Sequence, residues 1–259
     1  MPAGPTCIWE MTWPEFAEQV DRNPVVLLPT GMTEQHGPHL PLGVDFQLPL
    51  AIADLVAREI DGLIAPPLHY GYKSMPRTGG GPGFPGSLGL DGATLSAILR
   101  DLIRELARSG VRRIVVLDGH LENRWFLTEG IDLAVRELGE RSPRVVCMQH
   151  WDFLDDETMT RVFPEGYAGI DKEHAAILET SLMMHFYPQH VRLDRIPDEP
   201  PLAAPPYDTW PARPEWIPPG GALTSAKPAT AAKGECVADC YRRRISAALR
   251  AEFDLGEGP

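Results

Sequence analysis

Between Asp91 and Gly119 the chain sets a helix and a buried strand back to back, and this pairing leaves few folds open. Leu95, Ile98, Leu99, Leu102, Ile103 and Leu106 recur at i, i+3, i+4, i+7, i+8 and i+11, one face of an amphipathic helix. Gly110 supplies a left-handed stop. Ile114-Val115-Val116-Leu117 follows without alternation, the pattern of a parallel strand covered on both faces. Parallel neighbours need crossover helices, so the unit asks for further copies of itself.

The copies are present. Val25-Val26-Leu27-Leu28-Pro29 and Leu63-Ile64-Ala65-Pro66 read as short buried strands, separated by helical spacing from Leu48 to Ile60 with Asp45 as its N-cap. A helix from about Glu122 to Leu138 leads to a strand, Val145-Val146-Cys147-Met148, in which Cys147 reads as a small core hydrophobe. Further helices are expected from about Glu173 to Tyr187 and Thr230 to Phe253. Strand and helix alternating through short connections predict an α/β layered fold, one domain spanning residues 1–259. Residues 188–228 differ in texture. They hold 11 of the 27 prolines, which bar a helix or central strand and predict a long excursion over the domain.

Composition excludes several classes. The net charge of −12 argues against a nucleic-acid or anionic-membrane surface, and no apolar run approaches the ~18 residues of a membrane span. Met1-Pro2-Ala3-Gly4-Pro5 lacks the blocks of a signal peptide, and Cys7, Cys147, Cys236 and Cys240 are too few and scattered for a disulfide framework. Reduced thiols and a cytoplasmic location are the expectation.

Two segments, each following a buried strand, carry the chemistry. Gly31 to Asp45 contains Glu34 and His36; Asp118-Gly119-His120-Leu121-Glu122-Asn123 contains His120 and Glu122. In extended backbone, residues two apart share a side, so both pairs can face one crevice at the carboxyl edge of a parallel sheet. With Asp45 they make three carboxylates and two imidazoles. Clustered carboxylates repel unless cations offset them. Two divalent ions set +4 against −3, and a bridging hydroxide brings the balance to zero, the arrangement of a dinuclear hydrolase. Oxygen and nitrogen donors without thiolate suit zinc or manganese and do not choose between them.

Asp171-Lys172-Glu173-His174 opens the expected helix, with Asp171 as cap and His174 at its third position. Thr78 to Gly86 is glycine-rich but lacks the ending of a phosphate loop, and reads as a loop lining the site. Trp151, just after a strand, suits a pocket wall or the core equally. His39, His69, His150, His185 and His190 receive no role.

Taken together, Glu34-Gln35-His36-Gly37-Pro38-His39-Leu40-Pro41 with Asp45, and Gly119-His120-Leu121-Glu122-Asn123, resemble the creatininase family of metal-dependent amidohydrolases. The likeness continues through Glu129 to Ala134, Trp151-Asp152-Phe153, Phe163 to Gly166, Glu173-His174, Glu179 to Met183 and Pro206-Tyr207-Asp208, and so covers roughly Val25 to Phe253. The resemblance implies a three-layer α/β/α sandwich on a mostly parallel sheet. It implies two divalent ions (zinc, or zinc with manganese) and a homohexamer. By position, Glu34 and His120 would hold one ion, His36 and Glu122 the other, with Asp45 bridging. Thr78, Leu121, Trp151, Ile170, Asp171 and Glu173 would contact substrate, and His174 would transfer the proton. Three positions depart from the creatinine-hydrolysing members: Leu121 replaces tyrosine, Ile170 a tryptophan and Asp118 an asparagine. None is an expected ligand.

The expected activity is hydrolysis of a cyclic amide, creatinine or a related lactam or cyclic guanidine, by a metal-bridging hydroxide, with Glu122, Glu173 and His174 in the catalytic machinery. The alternative within the family is a formamide deformylase or peptidase. A dinuclear phosphoesterase is disfavoured because Arg124 is the only cation near either metal segment. A non-catalytic metal-binding subunit is disfavoured by the intact ligand set.

Overall fold

The computed structural model describes residues 6–79, 83–198, 207–211 and 213–256. Four strands, β1 (Val25–Thr30), β2 (Leu63–Ile64), β3 (Arg113–Asp118) and β4 (Arg144–Gln149), form one sheet in the order β2-β1-β3-β4. All its pairings are parallel. Register aligns the carboxyl ends: Thr30 pairs with Asp118, and Asp118 with Gln149. The two chemistry-bearing segments therefore leave the sheet side by side.

Eight α-helices are described: α1 (Trp13–Asp21), α2 (Val44–Ile60), α3 (Pro76–Gly79), α4 (Gly92–Arg108), α5 (Arg124–Leu138), α6 (Asp156–Val162), α7 (Ile177–Phe186) and α8 (Ala231–Phe253). Strand side chains alternate between two cores, as a pleated sheet requires. Val25, Leu27, Val115 and Leu117 pack with Ile52 and Val56 of α2, Leu178 and Leu182 of α7, and Val237 and Ile245 of α8. Val26, Leu28, Ile114 and Val116 pack with Leu95, Leu99 and Ile103 of α4 and Leu127 and Ala134 of α5. The result is the expected α/β/α sandwich.

Several local expectations are corrected. The apolar stripe of α4 is narrower than its periodicity: Leu95, Leu99 and Ile103 are buried, whereas Leu102 is exposed. Gly92 and Gly130 bring α4 and α5 so close that a Cβ at Gly130 would lie 2.7 Å from the Ser96 carbonyl, leaving Leu102 outside the contact. Cys147 is exposed, because β4 is the sheet edge among the described residues. The four cysteines are free.

The helix expected from Glu173 begins only at Ile177. Ala175 takes φ 54°, a left-handed conformation that interrupts a helix, and Ile170–Lys172 form a separate 3₁₀ turn. Asp171 is thus not an N-cap and His174 is not helical. Three short helices lie where the sequence predicts none: α1 with its Thr12 and Glu15 capping box, α3 overlapping the start of the glycine-rich stretch, and α6 capped by Asp155. The proline-rich stretch lacks regular structure beyond 3₁₀ turns at Pro188–His190, Leu193–Arg195 and Pro214–Trp216 among the described residues. Met1 to Pro5, Gly80 to Pro82 of the glycine-rich loop, and the prolines at 200, 201, 205 and 206 lie outside the described residues. No described helix is long and apolar enough to cross a membrane.

Candidate metal centre

Asp45 reaches the site from the first turn of α2, whose N-cap is Gly43 rather than Asp45 itself. Four residues on stands Pro49, which has no N–H to return to the Asp45 carbonyl. That carbonyl lies against the ends of β1 and β3. A Cβ built on Gly31 would lie 2.1 Å from the Asp45 oxygen, and one on Gly119 would lie 2.3 Å from it. Only glycine permits this approach, which carries the Asp45 carboxylate between two imidazoles.

His36 Nε2 lies 2.9 Å from Asp45 Oδ1, and His120 Nδ1 lies 3.0 Å from Asp45 Oδ2 and 3.3 Å from Glu34 Oε2. The other ring nitrogens are occupied by backbone. His36 Nδ1 meets the Glu34 carbonyl at 3.2 Å, and His120 Nε2 meets the Tyr72 carbonyl at 2.8 Å. Such contacts set the tautomer that offers the inward nitrogen as a ligand. Asn123 accepts the Tyr72 amide (2.8 Å), holding the residue whose carbonyl His120 meets. Asn123 also donates to Asp118, as do Thr30 and Gln149, so three donors hold the carboxylate that joins the strand ends.

The residues present fit a divalent metal. Glu34 Oε1, His36 Nε2 and Asp45 Oδ2 are buried atoms with no hydrogen bond of acceptable geometry, although imidazole and carboxylate crowd together. Buried donors and acceptors of this kind are the atoms a bound cation would engage. Two triads have ligand atoms all within 4.8 Å of one another and share Asp45: Glu34, Asp45 and His120, and His36, Asp45 and Glu179.

Glu179 was not singled out in the sequence. Its Oε1 stands 3.6 Å from His36 Nε2, while its Oε2 accepts the Ala175 amide at 2.6 Å. The side chain beside His36 is therefore Glu179, where the family resemblance implies Glu122. Glu122 lies on the far side, with Oε2 3.5 Å from His120 Nε2 and Oε1 bound by the Thr78 hydroxyl and the Met75 amide.

The buried charges of the cluster act strongly on one another. Burial pushes the Glu34 carboxyl up to about 8, with His120 opposing and Asp45 adding to the rise. Asp45 goes the other way: burial would raise it, but the flanking imidazoles hold it well below the carboxylate range. Burial disfavours charge on His36 and His120, yet the carboxylates outweigh it and keep both pKa values well above the usual histidine value. A metal takes the deprotonated forms of these groups, so loading the site releases protons.

Above this floor lies a cavity of about 480 Å³ including its open mouth. Thr78, Leu121, Glu122, Trp151, Ile170, Asp171, Glu173 and His174 all line it, as do Glu34, Asp45 and His120. The structure thus gathers nearly every residue expected from sequence. Among the expected site residues only His36 is not on its lining; it lies beneath, with its ring 4.3 Å from that of His174. Burial, aided by His36, pushes His174 down to about 4 and keeps it neutral. Glu173 is buried, pushed up to about 8, and accepts the Leu178 amide at the start of α7.

A family model, Creatininase: creatinine amidohydrolase, matches residues 9–249. The chain belongs to the creatininase family. It is 47% identical to creatinine amidohydrolase of Pseudomonas putida over 251 residues, 95% of this chain and 96% of that protein. It is 32% identical to mycofactocin precursor peptide peptidase of Mycolicibacterium smegmatis over 179 residues, 67% of this chain and 62% of that protein. A manganese form of creatininase superposes with a TM-score of 0.94 at 45% identity, covering 96% of this chain and 99% of that one. A creatininase variant complexed with creatine superposes equally well.

Gly119→Ala is expected to force α2 away from β3. Overpacking of this kind costs about 1–3 kcal/mol, and bound metal should fall with the midpoint of denaturation; unchanged metal content by atomic absorption would show that the close approach is dispensable.

Two other buried histidines predict an acid limit. Burial pushes His39 down to about 4, with His36 contributing, and His150 down to about 3. Both fall below the unfolded value of 6.5, so only the unfolded chain gains these protons as the pH drops. Stability is complete above that value and declines below it, by about 1.4 kcal/mol per pH unit for each histidine. His150 is packed edge-on to Trp151 and Tyr241. Denaturant titrations of metal-free protein from pH 6.5 to 4.5 should show a shallower decline for His150→Phe; parallel slopes would mean that this ring protonates when folded.

Proposed function

We propose that this chain is a metal-dependent hydrolase that opens a cyclic amide, creatinine or a close relative. The observation that carries this reading is the shared Asp45, its two oxygens each facing a different imidazole on the floor of a small cavity. Glu34, Asp45 and His120 would hold one divalent ion. His36 and Asp45 would hold the other, with Glu122 and Glu179 closing the set from opposite sides. Zinc, or zinc with manganese, suits these donors. Once bound, the ions would supply an acidified water for attack and polarise the amide carbonyl.

The protein's own groups do the rest. Leu121, Ile170 and Trp151 give the ring an apolar wall and keep bulk water off it. Asp171 offers a carboxylate to the amidine or amine edge. Glu173 becomes a second one when a positively polarised group is brought against it, since a nearby cation lowers a carboxyl pKa. His174 is neutral, so it can take the proton that the attacking water loses. It then delivers that proton to the ring nitrogen as the carbon–nitrogen bond breaks. The product is the ring-opened acid with its amine restored. The size of the cavity favours a small ring over a folded peptide end, and the near-complete coverage of the Pseudomonas creatinine amidohydrolase favours it further. A homohexamer in the cytoplasm is part of the reading, on the strength of the family resemblance.

Purified, metal-loaded protein should open creatinine or a related lactam or hydantoin, while formamidopyrimidines and peptides are spared. His174→Ala should bind metal normally and lose about 10²–10⁴-fold in kcat; wild-type turnover would remove His174 from the mechanism. Glu122→Gln and Glu179→Gln should each carry less metal per chain, and a full complement in either would strike that residue from the ligand set.

A further inference from the structure

Gln35 sits between Glu34 and His36, and nothing above gives it a task. Its side chain is buried and its three described partners define its orientation. Oε1 accepts the Gly37 amide at 2.9 Å. Nε2 donates to the Gly221 carbonyl at 2.9 Å and lies 2.9 Å from His174 Nε2. A backbone N–H can only donate and a carbonyl can only accept. Turning the amide over would set donor against donor at Gly37 and acceptor against acceptor at Gly221. The amide therefore presents N–H to His174.

We propose that Gln35 is a positioning residue that fixes the tautomer of His174, with Nε2 as acceptor and the proton on Nδ1. A proton on Nε2 would collide with the amide hydrogens, so Nε2 keeps the ring's one lone pair, and a proton taken up in catalysis enters there as the amide lets go. This rests on the reading of His174 as the proton-transfer group.

The proline-rich excursion supplies the other half of the clamp. Gly221 closes a turn onto the Pro218 carbonyl with φ +75°, and a Cβ there would stand 2.0 Å from Gln35 Oε1. Two residues on, the Leu223 amide donates to the His174 carbonyl at 3.1 Å. One short segment thus holds both the amide and the backbone of the imidazole it orients.

The decisive measurement is the tautomer, read from the ring ¹⁵N shifts of histidine-labelled, metal-loaded protein, with His174→Ala used for assignment. The wild type should show His174 as the Nδ1–H form. Gln35→Glu offers only acceptors and should move the proton to Nε2. It should lower kcat for creatinine by about 10- to 100-fold with KM changed less than about twofold. Gly221→Ala leaves the ligand segment intact and should loosen the same clamp, giving a mixed tautomer and a smaller kcat loss. An Nε2–H form in the wild type, or an unshifted tautomer in both variants, would overturn the proposal. If the tautomer behaves as expected while His174→Ala turns over normally, Gln35 orients the ring and the catalytic role of His174 is what fails.

Discussion

How near the first turn of α2 can come to the sheet decides whether there is a site at all. Its approach depends on three residues that carry no chemistry. Gly31 and Gly119 end the exits from β1 and β3 without a Cβ, and Pro49 leaves the Asp45 carbonyl without its helical donor. The oxygen then settles between the two glycines, where any side chain would collide with main chain rather than with a yielding side-chain end. Because α2 is anchored below by Leu48, Ile52 and Val56, it cannot retreat cheaply. The position of one carboxylate is thus set by packing, and both imidazoles are disposed around it.

Such an arrangement is costly unless its charges are compensated. Glu34, His36, Asp45 and His120 are all nearly inaccessible, and burying charge is unfavourable unless it is paired. The chain sets both imidazoles against Asp45 and ties the strand ends through Asp118, Thr30, Asn123 and Gln149. A donor set assembled in advance in this way loses little entropy on loading, and ions that bind only the folded chain also stabilise it. Preorganisation and metal-dependent stability have the same origin here.

The sheet and its two layers were readable because strand and helix periodicities are strong where burial is complete, as in Ile114 to Leu117. The pairs Glu34/His36 and His120/Glu122 were readable too, since the members of each sit two apart on chain that leaves adjacent strands. What could not be read depended on the third dimension. Glu179 occupies a position in α7 that looks like any helical glutamate, and only the left-handed turn at Ala175 swings His174 and Glu179 toward His36. That same turn removed the helical start expected at Asp171. Leu102 and Cys147 have apolar neighbours in sequence, but one lies beyond a glycine-tightened helix contact and the other on an edge strand. The capping box of Thr12 and Glu15 was in plain view and simply unread.

The proline-rich excursion shows why a stretch without regular elements belongs to the site. Asp208 forms a paired ion contact with Arg77, at 3.0 and 3.2 Å, next to Thr78 on α3. Further along, the turn ending at Gly221 and the amide of Leu223 hold Gln35 and His174. One wall of the cavity is therefore steadied from Asp208 and another from Gly221. Proline lowers the number of conformations such a segment can sample when free, which reduces the entropy lost in laying it down. Hydrogen bonds from its backbone to the site replace those a strand or helix would have made within itself. The excursion needs neither, because its order comes from what it grips: two ends of a catalytic crevice whose floor is built by residues nearly two hundred positions earlier in the chain.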